Sequence, residues 1–405
     1  MDDTSPDADR GLFQLPPDII EYRDMARKFV EQEIMPLEPD YLKSPHAGYG
    51  LQPITNLKKA FPKETTDRLF KMAKETGLWY LMVPESHGGM KLSMLAQMVM
   101  VEQFMYTAVP FPFVNVPNIL YNCEGEQVDK YLTPTIEGEK VHCFAQTEPQ
   151  AGSDPGGMMK TSAVKDGKDW VLNGTKMWIS GAAEADFLLT QAVTDPEKRQ
   201  RGGITMFIVD RDNPGVTIEE PGISTWLGPT PTTYIVHYDD CRVPEQNVLG
   251  EVGKGFSLGQ QWLTIHDRLM RGPYSLGKMQ RAYDMCIEWS KQRVTFGRPI
   301  SQRQATQWKL VDMYTDITAL RSILYEMASR ADSGEDVRVQ AAMVKMCASD
   351  WGSRCLDHAI QIHGAMGESS ELPLTLFYRY VRHFQIGGGT NEIQRHIIAR
   401  DLLKD

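Results

Sequence analysis

Three consecutive glycines near the C-terminus form a segment that can approach a bound cofactor closely. Residues 387–392 read Gly-Gly-Gly-Thr-Asn-Glu, and glycine has no Cβ to keep a ligand away. Thr390 or Asn391 can cap a following helix, whose apolar stripe begins with Ile393 and Ile397. A glycine turn that opens a helix suits a planar or anionic cofactor. For this segment alone, an ordinary helix stop followed by a new helix is the alternative.

A loop and a hairpin earlier in the chain supply hydroxyl groups and a large ring. Residues 146–154 read Gln-Thr-Glu-Pro-Gln-Ala-Gly-Ser-Asp, and such a loop can hydrogen-bond the ring edge of a cofactor. In residues 173–181 an Asn-Gly pair predicts a hairpin. Trp178 and Ser180 share one face of its strand, where the ring would shield a flavin and the hydroxyl would reach its polar edge. An ordinary turn and a core tryptophan are the alternatives.

An arginine-containing segment suits a phosphate group. Residues 293–300 read Arg-Val-Thr-Phe-Gly-Arg-Pro-Ile and are followed by Gln304. Beside a phosphate, Arg293 would supply a bidentate contact of fixed charge. Solvation or a surface salt bridge is the alternative.

The periodicity of apolar residues predicts three domains that position these segments. Helical spacing dominates residues 1–140, short β-branched and aromatic runs occupy residues 141–252, and helical spacing returns in residues 253–405. We therefore expect an N-terminal helical domain, a middle antiparallel β-sandwich or barrel domain and a C-terminal bundle of long helices. Residues 38–63 are expected to form a loop and residues 255–293 one long helix.

Composition bounds the partners and the compartment. The net charge of −10 argues against nucleic acid as a partner. The six cysteines lie far apart without a CxxC pair, which indicates free thiols and no zinc site. No apolar run reaches the ~18 residues of a membrane span. The acidic start of the chain is unlike a signal or transit peptide, so we expect a cytoplasmic protein.

These segments, in this order within an α–β–α chain, resemble the acyl-CoA dehydrogenase family. The resemblance covers residues 17–403. Its most specific parts are residues 146–154, 176–181, 293–304, 361–367 and 389–395. It implies FAD held between the middle domain of one subunit and the C-terminal helices of a neighbour, usually in a tetramer. It also implies removal of the α-proton and the β-hydride of an acyl-CoA thioester.

Carried over by position, the resemblance implies roles for individual residues. The residues that would line the flavin ring are Phe144, Thr147, Trp178 and Ser180. Those that would reach the FAD pyrophosphate and adenosine region from the neighbouring subunit are Arg293, Phe296, Gln304, Gln361, Gly364 and Ala365. Thr390 and Glu392 would hold the adenine-side phosphates and ribose. Ser153, on a cofactor-binding loop, matches a position that touches the acyl-CoA ligand.

The chain departs from the commonest family pattern at the catalytic base. That pattern has a glutamate directly before the Gly-Thr pair, where this chain has Gly388. Glycine cannot abstract a proton, but its backbone N–H can still polarise the thioester carbonyl, a contribution of roughly 3–4 kcal/mol. Some members carry the carboxylate just before an arginine on the first long C-terminal helix, where this chain has Asp267 and Arg268. We expect Asp267 to be the base and Arg268 to contact the substrate.

Other roles for the carboxylates stay open. Asp267 could instead form a helix-surface salt bridge with Arg268 or Arg271, and it is one methylene shorter than the glutamate of the members it resembles. Glu368 and Glu148 are weaker candidates for the base, and Glu148 is expected to be structural.

Four further residues complete the expectations for the C-terminal helices. Gly272 and Pro273 would thin or kink the helix after the base and so widen the acyl pocket for a branched or cyclic chain. His266 and His363 are expected to be packed or hydrogen-bonded, not catalytic.

The expected function is FAD-dependent α,β-dehydrogenation of an acyl-CoA thioester to the trans-2-enoyl-CoA. Electrons would leave to an electron-transfer flavoprotein, and the subunits would form a dimer or tetramer. One alternative is a flavoenzyme that uses O₂, such as an acyl-CoA oxidase; a nitroalkane oxidase is disfavoured because it too would need a carboxylate at position 388. The other is a non-catalytic subunit that binds FAD or acyl-CoA in a heteromeric complex.

Overall fold

The computed structural model describes residues 13–404. Residues 1–12, Asp405 and the side chains of Ile265 and His266 lie outside that description, and with them the expectations for the acidic start of the chain and for His266. Within the described range the chain forms two compact units. The first comprises residues 13–47, 91–111 and 267–404, and the second residues 48–90 and 112–266.

The helices account for both ends of the chain. Their bounds are α1 Pro17–Phe29, α2 Glu38–Lys43, α3 Pro53–Ala60, α4 Lys63–Glu75, α5 Met94–Phe104, α6 Thr133–Ile136, α7 Pro155–Met158, α8 Gly255–Trp262, α9 Arg271–Gln292, α10 Gln304–Asp332, α11 Arg338–His363, α12 Ala365–Glu368, α13 Leu374–His383 and α14 Asn391–Leu402. In the part of the chain that the structure describes, none of them is both long and apolar enough to cross a bilayer.

A seven-stranded sheet forms the centre of the second unit. Its strands are β1 His142–Ala145, β2 Ser162–Asp166, β3 Asp169–Ser180, β4 Phe187–Val193, β5 Ile204–Asp210, β6 Val216–Ile218 and β7 Thr233–Pro244. The order is β1-β4-β2-β3-β7-β6, with β5 on β4. Its core consists of inward side chains such as Leu172, Leu188, Phe207 and Val236, all fully buried.

The predicted fold class is confirmed: helical regions at both ends of the chain flank a middle β domain. The sheet is mixed, because β1 and β2 each pair in parallel with β4 while the other pairs are antiparallel. The long segment between β1 and β4 permits that parallel pairing.

Long helices pack side by side in the first unit. Helices α9, α10 and α11 contact one another, and α5, α13 and α14 pack against them. A buried ion pair ties α10 to α5: Arg321 Nη2 donates to Glu102 Oε1 at 2.7 Å, and the Tyr325 hydroxyl donates to Glu102 Oε2 at 2.7 Å.

Three of the sequence expectations about local structure are wrong. The Asn173-Gly174 pair forms no hairpin turn, because both residues lie inside the 12-residue strand β3. Residues 38–63 are not a loop, since they contain α2 and α3; each starts with a proline in its first turn, where the missing N–H costs no hydrogen bond. The helix expected over residues 255–293 is also interrupted, because a π-helical turn, Leu263–Leu269, separates α8 from α9.

The expectation that Gly272 widens an acyl pocket is wrong as well. A Cβ added to Gly272 would lie 2.8 Å from Leu324 Cδ1 and 2.8 Å from Val344 Cγ1. The glycine therefore permits close packing of α9 against α10 and α11, and Pro273, in the first turn of α9, is buried.

Candidate active site

Asp267 and Gly388 face each other in the first unit. Asp267 lies in the π-helical turn and is 8% exposed. A Cβ built on Gly388 would lie 2.8 Å from Asp267 Cγ and would overlap the carboxylate oxygen Oδ2. The carboxylate of Asp267 thus fills the space that a side chain at position 388 would need, although 120 residues separate the two positions.

The Asp267 carboxylate has one engaged oxygen and one free oxygen. Its Oδ1 accepts a hydrogen bond from the guanidinium of Arg271, one helical turn later, with 10% and 15% of the two side chains exposed. Its Oδ2 is buried and has no hydrogen-bond partner among the described residues. The ion pair considered from the sequence is therefore present, but it is buried and leaves the oxygen beside Gly388 unpaired.

The polar residues Asp267 and Arg268 lie in the π-helical turn and not in the regular helices on either side of it. π-Helical turns are rare overall and frequent at functional sites, although this chain also has two elsewhere, Val30–Ile34 and Val128–Leu132. The π-helical turn that contains Asp267 and Arg268 lies between α8 and α9. Arg268 is 5% exposed, and its Nε donates to the Gly388 carbonyl at 3.5 Å, a long bond.

A buried lysine holds the glycine turn from α11. Lys345 Nζ donates to the Gly389 carbonyl at 2.8 Å and to Asn391 Oδ1 at 2.9 Å. Burial, together with the charge of Arg271, lowers the pKa of Lys345 to about 7. Lys345 therefore fixes the backbone that carries Gly388.

The glycine turn itself opens α14 as expected. Gly388 and Gly389 have φ values of 71° and 87°, which favour glycine strongly. The Thr390 hydroxyl accepts from the Ile393 N–H at 3.4 Å, so Thr390 is the cap. Glu392 is exposed in the first turn of that helix.

His383 packs beneath the same turn. A Cβ added to Gly387 would lie 2.9 Å from His383 Nε2. Burial and the charge of Arg271 lower the pKa of His383 to about 4; Lys345 acts in the same direction and Asp267 against it. The imidazole is therefore neutral at physiological pH, in the neighbourhood of two cations.

Acid should destabilise the protein through His383. Its pKa is about 4 when folded and 6.5 when unfolded, so the unfolded chain binds the proton first, and stability is lost as the pH falls through this window. We expect a loss of about 2 kcal/mol between about pH 8 and pH 5 from this group. Denaturant melts of H383Q across that range should show a shallower dependence of stability on pH than wild type. Equal slopes for H383Q and wild type would contradict this assignment.

The second unit presents Trp178 and Ser180 on one open face. A β-bulge interrupts the β3–β7 register between Lys176 and Ile179. Within it Trp178 has a φ of 64° and is 51% exposed. Ile179 is buried and Ser180 exposed, so the ring and the hydroxyl point away from the core. The alternative of a core tryptophan is wrong.

The neighbouring loop is anchored by a buried ion pair. Lys176 Nζ donates to Glu148 Oε1 at 2.9 Å and to the Gln146 carbonyl at 3.1 Å. Burial raises the pKa of Glu148, but Lys176 and the N–H groups of Lys160 and Thr161, just before β2, outweigh it, so the net pKa is lowered. The Met177 N–H donates to the Thr147 carbonyl at 2.8 Å. Glu148 is structural, as expected, and positions Thr147 beside the strand of Trp178.

The other two predicted site residues of the second unit, Phe144 and Ser153, differ in how far they are buried. Phe144 is half-buried, with its ring centroid 4.4 Å from that of Trp262. Ser153 is exposed and precedes Asp154, whose carboxylate caps α7 through the Gly157 N–H.

The residues expected to reach FAD from a neighbouring subunit lie on the surface of the first unit. A small hairpin is formed by β8 Val294–Thr295 and β9 Arg298–Pro299. Arg293 directly precedes it, and Phe296 lies in its turn, 97% exposed and with a φ of 48°. Gln304 begins α10. The exposed residues at the α11–α12 junction are Gln361, Gly364 and Ala365.

Two site residues were missed from the sequence, Lys345 and His383. Lys345 stands in an otherwise apolar helical run, a signal that a polar residue there is buried. His383 follows Arg379 and Arg382 in α13, so the sequence gives no such signal for it. His363, by contrast, is packed as expected: its Nδ1 lies 2.8 Å from the Ala359 carbonyl and its ring stacks on Trp289. Glu368 is exposed at the end of α12.

Comparison with known proteins gives the same family throughout. Residues 16–139, 143–240 and 253–403 match the N-terminal, middle and C-terminal domains of acyl-CoA dehydrogenase. A 3-(aryl)acrylate reductase of Clostridium sporogenes is 34% identical over 94% of this chain and 97% of that protein. The butyryl-CoA dehydrogenase structure from Megasphaera elsdenii superposes with a TM-score of 0.82 at 30% identity, covering 97% of this chain and 100% of that one. A chain from work on the electron transferring flavoprotein of Acidaminococcus fermentans superposes with a TM-score of 0.83 at 31% identity. The match covers 97% of this chain and 100% of that one.

The fold and these matches define an oxidoreductase that acts on CH–CH groups. The chain belongs to the acyl-CoA dehydrogenase family, whose cofactor is FAD, and the resemblance read from the sequence is confirmed. The residues present fit a flavin. An exposed indole lies next to an exposed hydroxyl on β3, and the hydrogen bond from the Met177 N–H holds Thr147 beside that strand.

Proposed function

We propose that this protein dehydrogenates an acyl-CoA thioester between its α and β carbons, with Asp267 as the base. The observation that carries the proposal is the position of the Asp267 carboxylate in the space next to Gly388. A base must come within hydrogen-bond reach of the proton it removes, and the free Oδ2 of Asp267 is available for that contact.

The backbone of the glycine turn supplies the second half of this chemistry. The N–H of Gly388 would donate to the thioester carbonyl and stabilise the negative charge that develops there. Lys345 and Thr390 hold the turn so that this donor is fixed before substrate binds. Removal of the α-proton and stabilisation of the carbonyl oxygen then take place at neighbouring groups.

FAD, when bound, supplies the acceptor for the β-hydride. On the β domain, Trp178 and Ser180, with Thr147 and Phe144, would lie against its ring system. We assign the pyrophosphate and adenosine region to exposed residues on the first unit of a neighbouring subunit, namely Arg293, Phe296, Gln304, Gln361, Gly364 and Ala365. Thr390 and Glu392 would hold the adenine-side phosphates and ribose. Ser153 and Arg268 would contact the acyl-CoA. An electron-transfer flavoprotein is the proposed acceptor, supported by the similarity to a chain studied with such a flavoprotein.

Anaerobic mixing of the flavin-loaded protein with a panel of acyl-CoA thioesters tests the reaction. Loss of the long-wavelength flavin absorbance with at least one thioester is the expected result. No bleaching with any thioester would favour a non-catalytic subunit. Rapid oxygen uptake without an added acceptor would identify an oxidase instead.

A homo-oligomer would cover the apolar side chains that the first unit exposes. Phe296, Trp308 and Val311 are 97%, 60% and 61% exposed, and the last two share one face of α10. Exposed apolar groups clustered in this way indicate an interaction surface, and a second copy is the partner that the FAD assignment requires.

Charge introduced on that face should weaken assembly. We expect W308E to weaken self-association by roughly 30-fold or more, because it buries a charge in place of an aromatic ring. Sedimentation velocity over a dilution series measures this. S333E adds the same charge in the exposed turn after α10 and should assemble as wild type. An oligomer unaffected by W308E would place the interface elsewhere.

A further inference from the structure

The buried cluster around Asp267 carries more positive than negative charge. Two arginines of the first unit, Arg268 and Arg271, are buried or nearly so and lie around one buried carboxylate, together with Lys345, whose pKa of about 7 leaves it partly protonated. Arg268 has only the long bond to the Gly388 carbonyl, a neutral group, among the described residues. Isolated buried cations are costly unless an anion pairs with them, so this cluster is suited to receive a further negative charge.

We propose that the acyl group of the substrate carries a second carboxylate and that Arg271 binds it, an inference that rests on the proposed function. The guanidinium has five donors in a planar fork. One end of it contacts Asp267, while Nε is buried without a partner among the described residues. A carboxylate that engages this fork would satisfy the unpaired donor and the surplus charge together.

Aromatic side chains shape the surroundings of Arg271. Its guanidinium carbon lies 4.3 Å from the ring centroid of Phe384. Tyr274 and Tyr380 belong to the same aromatic cluster, with ring centroids 6.5 Å and 4.6 Å from that of Phe384. The Phe384 ring favours one plane for the guanidinium, and planar orientation is what bidentate carboxylate recognition requires.

Binding of the second carboxylate would also release the base. Asp267 and the substrate carboxylate compete for the same guanidinium, so Oδ1 of Asp267 is freed when substrate binds. A carboxylate that loses an arginine partner and gains an anionic neighbour becomes a stronger proton acceptor. The same contact that selects the substrate therefore activates the base.

The shared guanidinium limits the length of the acyl group. Arg271 contacts the carboxylate that takes the α-proton, so the second carboxylate must lie within a few carbons of the α-carbon. In the reaction, the α C–H bond breaks to protonate Asp267, the β-hydride leaves with its electron pair to the bound FAD, and a C=C bond forms. The second carboxylate is unchanged. Short-chain dicarboxylic monothioesters of CoA are the substrate class that this arrangement selects.

Two matched pairs of thioesters test the inference on the flavin-loaded protein. The first pair is a short ω-carboxyacyl-CoA and the neutral acyl-CoA of equal length, compared by anaerobic flavin reduction. The second is the corresponding pair with sulfur in place of the β-carbon, which cannot lose a hydride, compared by dissociation constant. We expect the carboxylated member to be preferred by roughly 30-fold or more in both.

The variant R271M should abolish that preference. The ratio of its flavin-reduction rates, and of its dissociation constants, between the carboxylated and the neutral thioester should approach one, because the second carboxylate loses its partner. R271K keeps the charge without the fork and should restore part of the preference, and it remains informative if R271M folds poorly. R321M removes the arginine of the Glu102 pair and should leave the ratio at its wild-type value.

The outcomes separate the two proposals. Equal or better use of the neutral thioester by wild type, or the same loss of preference in R321M as in R271M, would overturn the assignment of Arg271 while leaving the dehydrogenase intact. Bleaching by neither thioester, at any length tested, would instead contradict the proposed reaction itself.

Discussion

Replacing Asp267 by asparagine should slow flavin reduction by roughly 10²–10⁴-fold, the contribution of a positioned general base. Asparagine keeps the shape of the side chain beside Gly388 but cannot accept the α-proton. Anaerobic stopped-flow with the best thioester of the panel measures the rate directly. Substrate dissociation constants should change far less than the rate, because the backbone donors of the glycine turn are untouched.

The asparagine variant also leaves Arg271 buried without its anionic partner, a loss that can cost about 3–5 kcal/mol of stability. Thermal melts and flavin content must therefore accompany the kinetics. E368Q provides the control, since Glu368 is an exposed carboxylate at the end of α12 and should bleach at the wild-type rate. A folded, flavin-loaded D267N that bleaches as fast as wild type would show that the base lies elsewhere.

Adding a single methyl group at Gly388 should destabilise the first unit by about 2–5 kcal/mol. Two causes contribute. Alanine at a φ of 71° is strained, and its Cβ would overlap the Asp267 carboxylate. Urea denaturation of G388A against wild type gives the cost, and the displaced carboxylate should lower the rate of flavin reduction as well.

Gly334 offers a matched control for the backbone strain that alanine causes at a positive φ. Its φ is 80°, and an added Cβ would meet nothing within 4 Å, so G334A has the strain without the overlap. The excess cost of G388A over G334A therefore reports the contact with Asp267. The double variant D267A/G388A should recover part of that excess, with a coupling of about 0.5–3 kcal/mol. A G388A cost no larger than that of G334A would mean that the carboxylate does not occupy this space.

The sequence was sufficient to predict elements that depend only on neighbouring residues in the chain. The short β-branched and aromatic runs of residues 141–252 indicate strands, and the structure has β1 to β7 there. The helix after Thr390 followed from its capping residue. Prolines misled the expectation for residues 38–63, because a proline at the first turn of a helix and a proline in a loop look alike in one dimension.

The surroundings of the base could not be predicted in the same way. A π-helical turn leaves no break in apolar periodicity, so the interruption at Leu263–Leu269 was not visible. Lys345 and His383 come from α11 and α13, and only the packing of those helices brings them to the glycine turn. Burial then sets their pKa values at about 7 and about 4, which depends on neighbours far away in the chain.

The sequence by itself determined the family, the α–β–α order of elements and the absence of a side chain at Gly388, because motif spacing, periodicity and residue type are properties of the linear chain. Tertiary structure alone decided that the Asp267 carboxylate occupies the vacated space, that its ion pair with Arg271 is buried and not at the surface, and that the neighbouring Arg268 hydrogen-bonds no anion among the described residues. Those facts depend on which helices pack together and how much water they exclude, and neither quantity is written in any single segment.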